Sequence, residues 1–170
     1  KKTGAPPAAW TKITSGGGFD PAQTVIVAKI GGDYSSIKDA IDYVASQTPS
    51  SSNPWAVLVY HGVYVEEKIQ VPDFTTLRCV GPVGSATISP STLTDAIVEC
   101  GSNSTVSGFL LFGASGTGGV GIRAGIGERN FIIKDLLIID CETGISVFGD
   151  GTPLSTQGTI VNISLSRAPT

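Results

Sequence analysis

Four carboxylates fall within a short stretch of this chain: Asp135, Asp140, Glu142 and Asp150. Two carboxylates at the right separation cleave glycosidic bonds, one as the acid and the other as base or nucleophile, and a tighter cluster collects calcium. Asp135, Asp140 and Glu142 are therefore the candidate catalytic residues, weighed against the plainer reading of solvated carboxylates in turns. His61 is the only histidine and has no Cys or His nearby, so it reads as a turn residue and gives no support to a metal site or a His-based triad. Cys79, Cys100 and Cys141 sit in apolar, strand-like runs without CxxC spacing and read as small core residues. Gly116, Gly118 and Gly121 spell GxGxxG, but no helical pattern follows to offer its N-terminus to a phosphate. A loop between strands is expected there. Asn103–Thr105 and Asn162–Ser164 fit the glycosylation triplet, which matters only in a eukaryotic secretory setting. Trp55, Tyr60, Tyr64 and Phe148 are weighed as a sugar-stacking surface against packing inside the fold. No cofactor and no metal is implied.

The composition narrows the class. The net charge is −3, the pI is near 5.0 and the basic residues are scattered, so no field draws a polyanion and nucleic acid is not an expected partner. No apolar run reaches the roughly 18 to 20 residues that span a bilayer, and the first twenty residues lack the apolar middle of a signal peptide. A membrane partner is not expected either. Apolar residues make up 41% of the chain, enough for one continuous core, while charged residues make up 15% and glycines number 22. That balance suits short strands and tight turns better than exposed helices, which need Glu and Lys. Methionine is absent, at position 1 as elsewhere, as in a fragment or a processed product.

Residues 1–22 hold Pro6, Pro7, Pro21 and the run Gly16, Gly17, Gly18 without an apolar period, and predict an extended N-terminal arm or tether. Trp10 and Lys12 are the candidates for docking that arm onto a partner. Residues 23–170 make the folded domain. Thr24–Ile30 is rich in β-branched residues and predicts a strand. After Gly31 and Gly32, the positions Ile37, Ala40, Ile41, Val44 and Ala45 recur at helical spacing, predicting a helix over about 36–46. Ser36 and Asp39 match a capping box at its start. The apolar face needs a surface to cover, with Ile37, Ile41 and Val44 as the residues that fix it there.

From Trp55 onward the strand candidates are short and mostly separated by glycine or proline: Val57–Tyr60, Thr76–Val80, Ala86–Ser89, Ala96–Cys100, Val106–Phe112, Ile122–Ala124, Phe131–Ile139, Ile145–Phe148 and Ile160–Leu165. Strands in such a run after a single helix exclude an alternating βαβ fold. Two apolar series recur along them. Leu77, Val106, Ile133 and Val161 form the first. Val98, Ile122 and Ile145 form the second, each followed two residues later by Cys100, Ala124 and Val147. Between these lie Glu99, Arg123 and Ser146, so period two puts apolar residues inside and polar ones outside, with Glu99 beside Arg123 one turn apart. The expected fold is all-β: a right-handed, single-stranded parallel β-helix with one N-terminal capping α-helix. An uncovered coil end is a site for pairing. The helix is the expected lid at one end. At the other, Ile160–Leu165 reads as one more strand, so the coil is expected to continue or to be closed by partner subunits.

One stretch carries a family pattern: Gly32, Asp33, Tyr34, Ser35, Ser36, Ile37, Lys38, Asp39, Ala40 and Ile41, then a Gly62–Glu66 turn reading GVYVE, then Thr76, Leu77, Thr87 and Ile88. It resembles the opening of pectin methylesterases and other pectin-lyase-like β-helices over roughly residues 30 to 90. In that family, aspartates and oxyanion-binding glutamines sit on QAVAL, QDTL and DFIFG motifs. The corresponding runs here, Gly118–Arg123 and Glu142–Ile145, supply neither residue type, and Val147, Phe148, Gly149 and Asp150 only echo the third motif. Phage tailspikes, fibres and other virion proteins reuse the coil, commonly as trimers, and the Gly/Pro-rich leader with GGGFDP is similar to theirs. The resemblance implies a structural or binding component of a tailed-phage virion, a fibre, spike or head decoration. Its partners would be copies of itself, other virion proteins and host surface polysaccharide. The alternative is a secreted carbohydrate-active enzyme, an esterase, lyase or glycosidase, with atypical catalytic residues or with those residues beyond Thr170.

Overall fold

The computed structural model describes residues 23–149 and 156–167. Strand β1 (Thr24–Val27) precedes helix α1 (Ile37–Ser46), and then strands alone follow. They are β2 (Trp55–Val59), β3 (Gly62–Glu66), β4 (Ile69–Val71), β5 (Thr75–Cys79), β6 (Ala86–Pro90), β7 (Ala96–Cys100), β8 (Thr105–Ser107) and β9 (Phe109–Phe112). The last four are β10 (Val120–Ala124), β11 (Arg129–Ile139), β12 (Thr143–Val147) and β13 (Gln157–Ser166). Every pairing between these strands is parallel, and each joins strands from successive windings. The chain is a parallel β-helix.

Three faces run along the coil. The first stacks β1, β2, β5, β8 and the start of β11, the second stacks β3, β6, β9 and the end of β11, and the third stacks β4, β7, β10 and β12. Strands β11 and β13 cross the corner between the first two faces, which makes one nine-stranded sheet of them. Apolar columns fill the interior. On the third face Ile69, Val98, Ile122 and Ile145 lie one above another, as the 24- and 23-residue spacing predicts. On the first, Val25, Val57, Leu77, Val106, Ile133 and Ile160 form the column. Val161 is not its last member, because it pairs with Lys134 and faces outward. The period between those rungs is 27 and not 28, and a slip of one residue turns a side chain to the opposite face.

Helix α1 seals the N-terminal end. Ile37, Ala40, Ile41 and Val44 are buried against the coil, while Ala45 is exposed. Burial of each large side chain contributes on the order of 1.5 to 3 kcal/mol, which holds a ten-residue helix that would not persist alone. Ser36 caps it and accepts from the Asp39 N–H at 3.2 Å. The rest of the cap comes from a distant residue. The Glu66 carboxylate, buried at the end of β3, accepts from the Ile37 N–H at 2.8 Å, the Lys38 N–H at 3.4 Å and the Ser36 hydroxyl at 2.8 Å. A negative charge there meets the positive end of the helix. The Gly62–Glu66 segment, expected as a turn, is thus a strand whose last residue anchors the lid.

Other boundaries differ for local reasons. Strand β1 stops at Val27, and Ile30 is 94% exposed. The run Val106–Phe112 breaks into β8 and β9 at Gly108, whose φ of 87° turns the corner between two faces. One winding later Asp135 stands at that corner with φ 55°, and Asn162 follows with φ 53°.

Candidate functional site

The outer side of the third face carries a dense group of charges. Period two along β7 and β10 points Glu99 and Arg123 outward, and their strands set them side by side. Arg123 Nη1 donates to Glu99 Oε1 at 2.9 Å and to Asp95 Oδ1 at 3.1 Å. Lys68 Nζ stands 3.3 Å from Asp95 Oδ2 and 3.6 Å from Glu99 Oε2, and Gln70 Nε2 donates to Glu99 Oε2 at 3.2 Å. Phe148 lies with its ring 5.8 Å from the Arg123 guanidinium, as a cation–π neighbour. Arg123 Nε is shielded from water and has no hydrogen-bond partner among the described residues.

What this cluster can do follows from its charge pattern. Burial pushes the Asp95 carboxyl up, but the Ala96 N–H at 2.7 Å, Lys68 and Arg123 outweigh it and hold the group below its ordinary range. A carboxylate held charged is a poor proton donor, so Asp95 does not suit the role of the acid that glycosidic cleavage requires. The cluster links side chains of successive windings and presents a charged surface. Its members share their charges and are partly exposed, so each pair contributes at most about 1 kcal/mol.

The three carboxylates singled out for chemistry stand apart. Asp135 turns the corner inside β11, and its Oδ1 accepts from Asn162 Nδ2 at 2.6 Å. Asp140 turns the next corner with φ 55°, where its N–H donates to the Ser166 carbonyl. Glu142 reaches back to accept from the Gly118 N–H and ties down the loop before β10. Asp135 and Glu142 line separate concavities, and Asp140 lines neither. Each therefore has a backbone task that its residue type suits: Asp and Asn tolerate the left-handed region, and a carboxylate accepts N–H groups. Asp150, Trp10 and Lys12 lie outside the described residues.

The remaining candidates also have assigned places. Cys79, Cys100 and Cys141 are free and buried, and burial pushes the Cys100 thiol up to about 12. Of the aromatics, Tyr64 and Trp55 are buried, while Tyr60 and Phe148 remain exposed. The GxGxxG segment leads into β10 with no helix, and a side chain at Gly121 would come within 2.6 Å of Ile138. Both glycosylation triplets begin at corner residues: Asn103 accepts from Asn130 at 3.2 Å and Asn162 holds Asp135. Among the described residues, no group of three or more His, Cys, Asp or Glu side chains is placed to hold a metal ion.

Sequence reasoning missed two features. One is Glu66 as the helix anchor, which sits 29 residues from the N–H it binds most closely. The other is the set of left-handed corners, whose signal is Asn103 with Asn130 and Gly108 with Asp135 and Asn162 recurring at the winding period. A scan against known family models, a search of curated proteins and a search of solved structures each find nothing that matches this chain.

Proposed function

We propose that this chain is a structural and binding component of a tailed-phage virion, of the fibre, spike or decoration kind, built as a member of the pectin-lyase-like β-helices. In this reading it assembles as a trimer, joins other virion proteins and meets host surface polysaccharide.

The observation that carries the reading is the outer side of the second face. There Val63, Thr87, Leu110, Leu137 and Ser164 form one outward column, and beside it Val65 pairs with Ser89, and Phe112 with Ile139 and Ser166. No charged side chain interrupts them. Val63 is 62% exposed, Val65 68% and Phe112 43%. An uncharged apolar face on a protein whose third face is densely ionic is the pattern of a contact surface. Three coils set with these faces toward a common axis would cover them and leave the ionic face outside.

The test is the composition of the particle. Mass spectrometry of purified virions from the phage that encodes this chain is expected to find it at a fixed copy number, in multiples of three. Its absence from the particle would overturn the proposal.

A further inference from the structure

A groove of about 460 Å³ runs along the corner where the first face meets the second, on the opposite side of the coil wall from the columns that fill the core. Its walls come from three successive windings. Arg78 of β5 pairs in register with Ser107 of β8, and Ser107 with Lys134 of β11. Beside this column stand Thr76 and Thr105, also in register. Val83 forms a half-exposed apolar rim, and Gly108 leaves the floor open: a side chain there would come within 3.0 Å of Cys79.

The cations set this groove apart. Lys68 and Arg123, on the third face, each face two carboxylates. Arg78 and Lys134 make no ion pair and no side-chain hydrogen bond among the described residues. Nor do the hydroxyls of Thr76, Thr105 and Ser107 have protein partners there, although Ser107 is only 4% exposed. The single carboxylate in the groove, Asp135, is engaged by Asn162. Two unpaired cations, three unpaired hydroxyls and an apolar rim thus converge on one concavity of the size that takes a small ligand.

We infer that this corner groove binds a short acidic oligosaccharide segment lying along the coil axis, its carboxylates on Arg78 and Lys134 and its hydroxyls on Thr76, Thr105 and Ser107. Windings are about 4.8 Å apart, so the two cations start from backbone positions roughly 10 Å apart. A chain with an anionic group on successive units matches that spread better than a single small anion does. The arginine supplies a planar fork and the lysine a point charge, and both bind carboxylate. The chain's net charge of −3 disfavours a long polyanion but leaves a short segment free to use a local positive site. This inference names the glycan class for the function proposed above and rests on it for its biological setting, though not for the binding itself.

Titration calorimetry on the full chain tests it, with an alginate-derived hexauronate as probe and maltohexaose as the neutral control. The hexauronate is expected to bind, more weakly as salt rises, and maltohexaose is not. Arg78→Gln and Lys134→Gln are each expected to weaken binding roughly fivefold, and the pair to abolish it. Lys134→Arg restores it, and Asp135→Asn tightens it by removing a like charge. These positions lie on the coil's outer surface, and an unchanged melting temperature confirms that each variant is folded.

Three results would overturn the inference: no hexauronate binding by the natural chain, equal binding of maltohexaose, or a double variant that binds as well as the natural chain. Tighter binding of an oligothymidylate of equal charge would overturn it too, in favour of a nucleic-acid site. A chain found in virions that fails to bind uronate removes only the groove, and one that binds uronate but is absent from virions removes only the virion assignment.

Discussion

Glu66 shows how much one side chain can hold. It is buried, it accepts from two backbone N–H groups and a hydroxyl, and it connects the end of β3 to the start of α1. Those N–H groups belong to the first turn of the helix and have no partner within it. Glu66→Ala leaves them buried and unsatisfied, and is expected to cost about 2 to 4 kcal/mol in urea unfolding. Glu67→Ala, at the exposed neighbour, is expected to fall within about 0.5 kcal/mol of the natural chain. Equal effects from both would mean that the lid is held by its apolar face alone. The sequence shows a carboxylate in a GVYVE run, but its partner lies a full winding away, and only the closed coil brings the two together.

At the scale of elements, what was legible depended on whether a residue's task is local. Helix α1 was readable because its buried residues repeat along one short segment. The third face was readable because Val98, Ile122 and Ile145 keep their spacing through turns of nearly equal length. Val161 was misplaced because one residue more or less in a turn shifts the column, and an exposed Val161 looks no different in sequence from a buried Ile160. Asp135 and Asp140 looked like chemistry because the same residue types serve a left-handed corner and an active site.

The rung that carries Asp95, Glu99, Arg123 and Lys68 makes a prediction about pH. The Asp95 carboxyl lies below its usual 3.8 in the folded chain, so between the two values the unfolded chain binds more protons. Stability from this group is therefore complete above its unfolded value and is lost as pH falls through the folded one. The stability difference between the natural chain and Asp95→Asn is expected to shrink as urea unfolding is repeated from about pH 6 down to about pH 3. A difference that stays constant over that range would mean that the Asp95 contribution is not ionic.

Taken as a whole, the molecule is a coil with three unlike outer sides: one ionic, one grooved at its corner and one uncharged and apolar. One end is sealed by a helix that a buried carboxylate anchors, and the other presents a strand with exposed apolar rungs. On the proposed reading, each side has a different environment to face, and the uncharged face is covered by other copies of the chain. Multi-angle light scattering on the natural chain and on Val65→Lys with Phe112→Lys measures this directly. The expected result is a mass three times 17.4 kDa for the natural chain and a folded monomer for the double variant. A natural chain that stays at 17.4 kDa over the whole concentration range, or a double variant that keeps the natural mass, would contradict it.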